Sequence, residues 1–225
     1  MFDIVLFAVF PYVVFISAIG ISIWRYYSSG FKFSSLSSQF LENRELFWGS
    51  LPWHMGILIV LCGHLVAFLF PKEILIWNQI PVRLLILEVS ALSCGLLALV
   101  GIVLLIHRRL TNARVKVVTT KVDLVVLALL FIQVGSGVSI ALTYRWGSSW
   151  FALAMAPYLK SIFLLEPNIN YLIGMPFMVK LHVLNAFCII GVLPFTRLIH
   201  FLVPPIAYIW RPYQLVIWNW NRKRR

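Results

Sequence analysis

The chain has 225 residues, 61% of them hydrophobic and only 12% charged, and its formal net charge is +12. Soluble domains carry about a quarter charged residues, so this composition excludes an ordinary soluble enzyme and predicts an all-α integral membrane protein, a single membrane domain over residues 1–225. The positive charge does not point to nucleic acid, because fourteen of the nineteen Lys and Arg fall at residues 25–44, 108–121 and 197–225, between and after apolar stretches.

A helical span needs about 20 apolar residues, and five segments qualify: residues 2–24, 51–70, 84–106, 122–144 and 177–203. The first has no basic leader and is too long for a signal peptide, so it is read as a retained helix. Five crossings put the termini on opposite sides. The basic segments all fall on one side, which places the N-terminus outside and the C-terminus, with a tail at 204–225, in the cytoplasm. The three cysteines, Cys62, Cys94 and Cys188, lie in apolar spans as small hydrophobes, and no spacing suits covalent haem, an iron–sulfur cluster or zinc.

The first span ends at Trp24-Arg25-Tyr26-Tyr27, an interfacial boundary, and a serine-rich loop follows. The second span carries His54 and His64. An ionisable group inside a span costs roughly 2.5 kcal/mol or more when charged, so it normally faces the bundle interior and has a partner. Ten residues separate the two histidines, about 15 Å along the axis, too far for one cofactor to use both. Gly56 and Gly63 thin the same helix; they admit either a flat macrocycle or a neighbouring helix.

Pro71 and Pro81 bound a short outer loop containing Trp77. Arg83 and Glu88 follow; Glu88 is either a proton acceptor or a local partner of Arg83. His107, beside Arg108 and Arg109, reads as structural, and Asp123 and Gln133 of the fourth span need no cofactor. Residues 150–165 are apolar but interrupted by Pro157 and Lys160, so they are expected to lie as an interfacial helix roofing the outer end. The fifth span holds His182 and His200, eighteen residues or five whole turns apart, about 27 Å, with Pro194 between them expected to kink the helix.

The second and fifth spans run antiparallel, so direction alone pairs His64 with His182 on the outer side and His54 with His200 on the inner side. Two histidines on each of two helices is the pattern of a cytochrome holding two non-covalent b-type haems. Zinc fits less well, since each pair supplies two ligands where a structural zinc takes four. Two imidazoles fill both axial positions of a haem iron and leave none for oxygen, which makes the task electron transfer.

With these residues in view, the stretches PWHMGILIVLCGHL, RRLTNARVKVVTTKVDLVVLALLFIQ, KLHVLNAF and LPFTRLIHFLVPPIAYIWRPYQLV resemble the cytochrome b (gamma) subunit of respiratory nitrate reductases, over nearly the whole length. The resemblance implies that His54 and His200 ligate an inner haem b and His64 and His182 an outer one. It implies a multi-pass protein of a prokaryotic cytoplasmic (inner) membrane that oxidises quinol. Electrons then pass to a cytoplasmic iron–sulfur subunit and a molybdenum-cofactor subunit, where nitrate is reduced. His64, Gly63, Arg83 and Glu88 are the candidates for the quinol site, and no residue is expected to reduce nitrate here. Family members carry a lysine near the start of the third span where this chain has Leu84 or Leu85, with Arg83 adjacent. The alternatives are the cytochrome b subunit of a heterodisulfide or sulfur-cycle reductase, or of a nitrite oxidoreductase running in reverse. From another class come a small transporter, disfavoured by the odd number of spans, and a non-redox membrane anchor.

Overall fold

Glycine decides which helices lie closest. In the computed structural model, which describes residues 2–29, 44–196 and 198, the second and third spans form a tight antiparallel hairpin whose seam is built of small residues. A Cβ on Gly56 would stand 2.5 Å from the Cys94 carbonyl oxygen and 2.6 Å from the Ala98 nitrogen. Gly101 meets Trp53 as closely, and Gly49 lies under Leu105. Without a hydrophobic force between helices in lipid, such backbone approach is the main source of association. Of the two readings of these glycines, Gly56 is therefore a packing residue, whereas Gly63 has nothing within 4 Å of its Cβ position.

Among the described residues five helices are long and apolar enough to cross a membrane: Phe2–Ser28, Glu45–Leu69, Pro81–Thr111, Lys121–Thr143 and Phe177–Phe195. All described residues are helical, turn or coil, with no strand among them. Large apolar side chains such as Ile16, Val82 and Phe177 stand exposed around the bundle, as expected where the solvent is lipid. The third span meets the fourth, the fourth meets the fifth, and the fifth meets the first. The second and fifth, which carry the histidines, scarcely touch one another.

The turn between the third and fourth spans is closed by polar bonds. Asn112 accepts from the Arg114 N–H at the start of a short helix, Ala113–Val117. Thr120 and Asp123 then form a reciprocal capping box on the fourth span, and Arg109 pairs with Asp123 at 3.2 Å. Asp123 thus pairs with Arg109, in the last turn of the third span. At the opposite end of the bundle Lys180 bonds Asp3 at 2.9 Å, tying the starts of the fifth and first spans together.

Pro194 does more than kink the fifth span. The α-helix stops at Val192, a single 3-10 turn covers Leu193–Phe195, and Thr196 is extended. Proline removes a backbone donor and crowds the preceding turn, and the Pro194 carbonyl is instead taken by Arg25 Nη1 at 2.6 Å. The count of five whole helical turns from His182 to His200 therefore does not hold, and His200 itself lies outside the described residues.

Between the fourth and fifth spans the backbone runs helically through Gly147–Trp150, a π-helical turn Phe151–Met155, and Ala156–Phe163. This stretch is well buried: Ala152, Met155, Ala156, Tyr158 and Ile162 are all within the core. The Tyr158 hydroxyl donates to the Phe7 carbonyl at 2.8 Å and Tyr12 donates to the Ile162 carbonyl at 3.0 Å. The segment is wedged against the first span, with Phe163 tilted on Phe68 of the second.

Candidate functional site

His64 lies near the far end of the second span. Its Nδ1 is 2.8 Å from the Val60 carbonyl oxygen, four residues back. A carbonyl oxygen can only accept, so Nδ1 carries the proton and Nε2 presents a lone pair. His54 repeats the arrangement one segment lower: Nδ1 is 2.7 Å from the Ser50 carbonyl, with the Ser50 hydroxyl at 3.1 Å. Helical geometry makes this possible at any position, since the carbonyl four residues back lies directly below the ring on the same face. The same bond both fixes the tautomer and raises the basicity of the nitrogen left over, which is how metal-binding histidines are usually prepared.

His182 is held differently, by the fourth span. The Gln133 amide is 3.0 Å from Nε2, the Ser136 hydroxyl is 3.0 Å from Nδ1, and Ser136 in turn donates to the Gln133 carbonyl at 3.1 Å. With the amide donating to Nε2 and the serine proton committed elsewhere, Nδ1–H donates to Ser136, so this histidine shares the tautomer of the other two. Gln133 is itself anchored: Asn185, one turn beyond His182 and nearly buried, donates to Gln133 Oε1 at 2.7 Å and to the Leu129 carbonyl at 2.9 Å. A Cβ on Gly137 would come within 3.1 Å of His182 Cε1, so the absence of a side chain there is what admits the ring.

The two imidazoles meet across the gap between their helices. Their ring centres are 6.5 Å apart and their planes are 29° from parallel. Two imidazoles bound to one metal ion from opposite sides, at about 2.0 Å per bond, place their centres roughly 6 Å apart. The observed spacing is therefore one that a single ion can bridge, provided that Gln133 releases Nε2. Among the described residues no group of three or more His, Cys, Asp or Glu converges, so those residues offer an ion the two imidazoles here. Phe151 stands edge-on to His64 at 5.2 Å and closes the site on that side.

The sequence of residues 3–219 matches the profile of the family described as nitrate reductase gamma subunit. The chain belongs to that family. It is 31% identical to the respiratory nitrate reductase 1 gamma chain of Escherichia coli, covering 93% of this chain and 95% of the relative. It is 28% identical to the nitrate reductase gamma chain of Bacillus subtilis with the same coverage. A nitrate reductase-like protein, NarX, of Mycobacterium tuberculosis matches at 34%, over 32% of its own length. As a gamma subunit with five helices among the described residues long and apolar enough to cross a membrane, the protein is a multi-pass membrane component of a nitrate reductase and has other subunits as partners.

Within this family member the structure brings together some of the residues singled out from sequence and separates others. His64 and His182 face one another as the antiparallel pairing requires. His54 is prepared in the same way, but its expected partner, His200, lies outside the described residues. Arg83 is exposed and lies over the Trp77 ring at 5.1 Å, while Trp77 Nε1 donates to the Arg83 carbonyl. Glu88 turns elsewhere, accepting from the Ser148 N–H at 2.8 Å and the Ser148 hydroxyl at 2.6 Å. The expected local pair of Arg83 with Glu88 does not form, because the carboxylate caps the turn that opens at Trp146, a non-glycine residue at φ 64°. Gln133, read from sequence as unrelated to any cofactor, is in contact with His182. Gln133, Ser136 and Gly137 recur at helical intervals on one face, a spacing that marks a polar stripe but not the helix it meets.

Proposed function

We propose that this gamma subunit is a dihaem cytochrome b that oxidises quinol and delivers the electrons to an iron–sulfur subunit, which feeds a molybdenum-cofactor subunit where nitrate is reduced. The observation that carries the reading is the His64–His182 pair: two imidazoles on helices that barely touch, at a spacing one metal ion spans, each with its Nδ1 proton committed to the protein. In this reading His64 and His182 hold the outer haem b, and His54 and His200 the inner one. A haem bound by two imidazoles supplies one-electron transfer and offers no open position for oxygen.

The protein's own contribution is orientation and exclusion. Val60 and Ser50 fix the rings of His64 and His54. Ser136, Gln133 and Gly137 fix His182. The open space beside Gly63 suits a flat group. The basic residues at 25–44, 108–121 and 197–225 support a cytoplasmic placement of that end of the bundle. It would carry the iron–sulfur partner, and the end bearing His64, His182 and Glu88 would lie outside and receive quinol. Protons released there stay outside while electrons cross inward.

Purification in mild detergent followed by pyridine haemochrome assay tests the reading. Two non-covalent haems per chain are expected. His64→Ala should retain one and lose reduction by quinol; His200→Ala should retain an outer haem that quinol still reduces, with delivery to the iron–sulfur subunit lost. One haem or none in the wild-type protein removes the proposal.

A further inference from the structure

Close to His64, the loop that joins the second and third spans and the turn at residues 146–150 form a polar nook between apolar walls. Glu88 Oε1 takes both bonds from Ser148. Asn78 donates through Nδ2 to the Ser148 hydroxyl at 3.0 Å and to the Ser149 hydroxyl at 2.9 Å. Two further polar atoms in the nook are buried and have no hydrogen-bond partner, Asn78 Oδ1 and Trp150 Nε1. Leaving a buried donor or acceptor unmatched costs about 1–3 kcal/mol, and a native protein keeps such a cost chiefly where a ligand or water removes it.

One of the unmatched atoms, Trp150 Nε1, shares a small space with Glu88 Oε2. A Cβ on Gly147 would lie 3.5 Å from Glu88 Oε2 and 3.9 Å from Trp150 Nε1, so the bare glycine leaves a cradle between a carboxylate oxygen and an indole donor. An indole N–H only donates, while an amide oxygen and a carboxylate only accept. The chemical group that answers both is a hydroxyl. Trp150 is followed directly by Phe151, whose ring rests on His64, so two consecutive residues join the nook to the histidine pair.

We infer that Glu88, Trp150 and Asn78 form a hydroxyl-binding site for the quinol headgroup, in which Glu88 accepts the proton. The inference rests on the quinol-oxidising reading and deepens it. Trp150 Nε1–H donates to the quinol oxygen, and that hydroxyl donates to Glu88 Oε2. The O–H bond of the quinol breaks with its electron pair left on the quinol oxygen, and the proton forms a new O–H bond on the carboxylate. Asn78 and Ser148 hold the carboxylate and the turn in place. Arg83, exposed and stacked on Trp77, takes no part.

The test uses duroquinol with the reductase complex containing this chain, under anaerobic conditions. Its dissociation constant is measured by equilibrium dialysis, beside the rate of quinol oxidation and the haem content. Glu88→Gln keeps a hydrogen-bond acceptor but cannot take up the proton, so affinity should stay near wild type while the rate falls about 100-fold or more. Trp150→Phe removes only the indole donor, and Gly147→Ala fills the cradle with a methyl group at ordinary contact distance. Each should weaken duroquinol binding by about 10-fold with haem content unchanged, which keeps the test open if Glu88→Gln fails to assemble. If wild type binds and oxidises duroquinol while Trp150→Phe and Gly147→Ala bind it equally well, the nook holds only water and the inference is wrong, with the quinol-oxidising reading intact. If wild type neither binds nor oxidises duroquinol, both fall together.

Discussion

Asn185 donates to Gln133 Oε1 at 2.7 Å, and the nitrogen of the same Gln133 amide reaches His182 at 3.0 Å. A chain of neutral polar groups thus runs from one turn of the fifth span, across the fourth, and back to the ring that faces His64. Each link is inside the bundle, where an unmatched group is expensive.

Gln133→Leu should break that chain at its centre. Asn185 would lose one of its two acceptors and His182 its Nε2 donor, while Ser136 still holds Nδ1, destabilising the protein by about 1–3 kcal/mol. On the proposed haem reading Gln133 competes with the iron for Nε2, so its loss should not weaken haem retention, whereas loss of the Nδ1 partner in Ser136→Ala should weaken it by about 10–100-fold. Thermal denaturation in detergent and titration of haem retention measure the two effects. Wild-type haem retention in the Gln133→Leu, Ser136→Ala double variant would show that the network is structural only.

The two glycines of the second span should behave oppositely. Gly56→Ala drives a methyl group into the Cys94 carbonyl and the Ala98 nitrogen, and overpacking of this kind costs about 1–3 kcal/mol. Gly63→Ala meets nothing within 4 Å and should leave the helix as stable or slightly more so, since alanine is favoured over glycine by up to about 1 kcal/mol in a helix. Parallel melting curves decide between them.

Tyr158 gives a stability signal at alkaline pH. Its phenol is fully buried, and burial first, then the neighbouring Tyr12, pushes its pKa well above the ordinary value. The folded form therefore holds the proton that the unfolded chain gives up near pH 10. Stability from this group is fully present below that pH and falls as the pH rises above it. Tyr158→Phe should cost about 1–3 kcal/mol at neutral pH, by leaving the Phe7 carbonyl without its donor. It should also flatten the decline above pH 10. An equally steep decline in Tyr158→Phe would assign the alkaline transition to other groups.

At the basic end, Asp123 serves both the capping box and the Arg109 pair. Asp123→Ala removes both and should cost about 1–2 kcal/mol through the cap, whereas Asp123→Asn keeps an acceptor for the cap and should lose less. The difference in melting temperature between wild type and Asp123→Asn isolates the charge, and the difference between the two variants isolates the cap.

The sequence by itself determined the class of the protein. Long apolar segments can lower their free energy in lipid only as helices, so five spans follow from hydropathy, and the antiparallel direction of the second and fifth is a matter of counting crossings. That count is enough to bring His64 opposite His182. It also suffices for the preparation of His54 and His64, because the carbonyl four residues back is supplied by the helix itself.

Only the tertiary structure decided what depends on rotation about a helix axis. In lipid nearly every face of a span is apolar, so hydropathy carries no record of which side turns inward. For that reason Gln133 could not be assigned to His182, Gly56 could not be told from Gly63, and Glu88 could not be placed with Ser148 rather than Arg83. The same limit applies to residues 147–163: composition describes an interfacial segment, but the hydroxyls of Tyr158 and Tyr12, which bind it to the first span, find their partners only across the packed interface. Pro194 marks the boundary between the two kinds of knowledge. Its missing donor predicts a disturbance of the fifth span, yet whether the chain bends or leaves the helix depends on what takes the Pro194 carbonyl, and here Arg25, brought up by the first span, takes it.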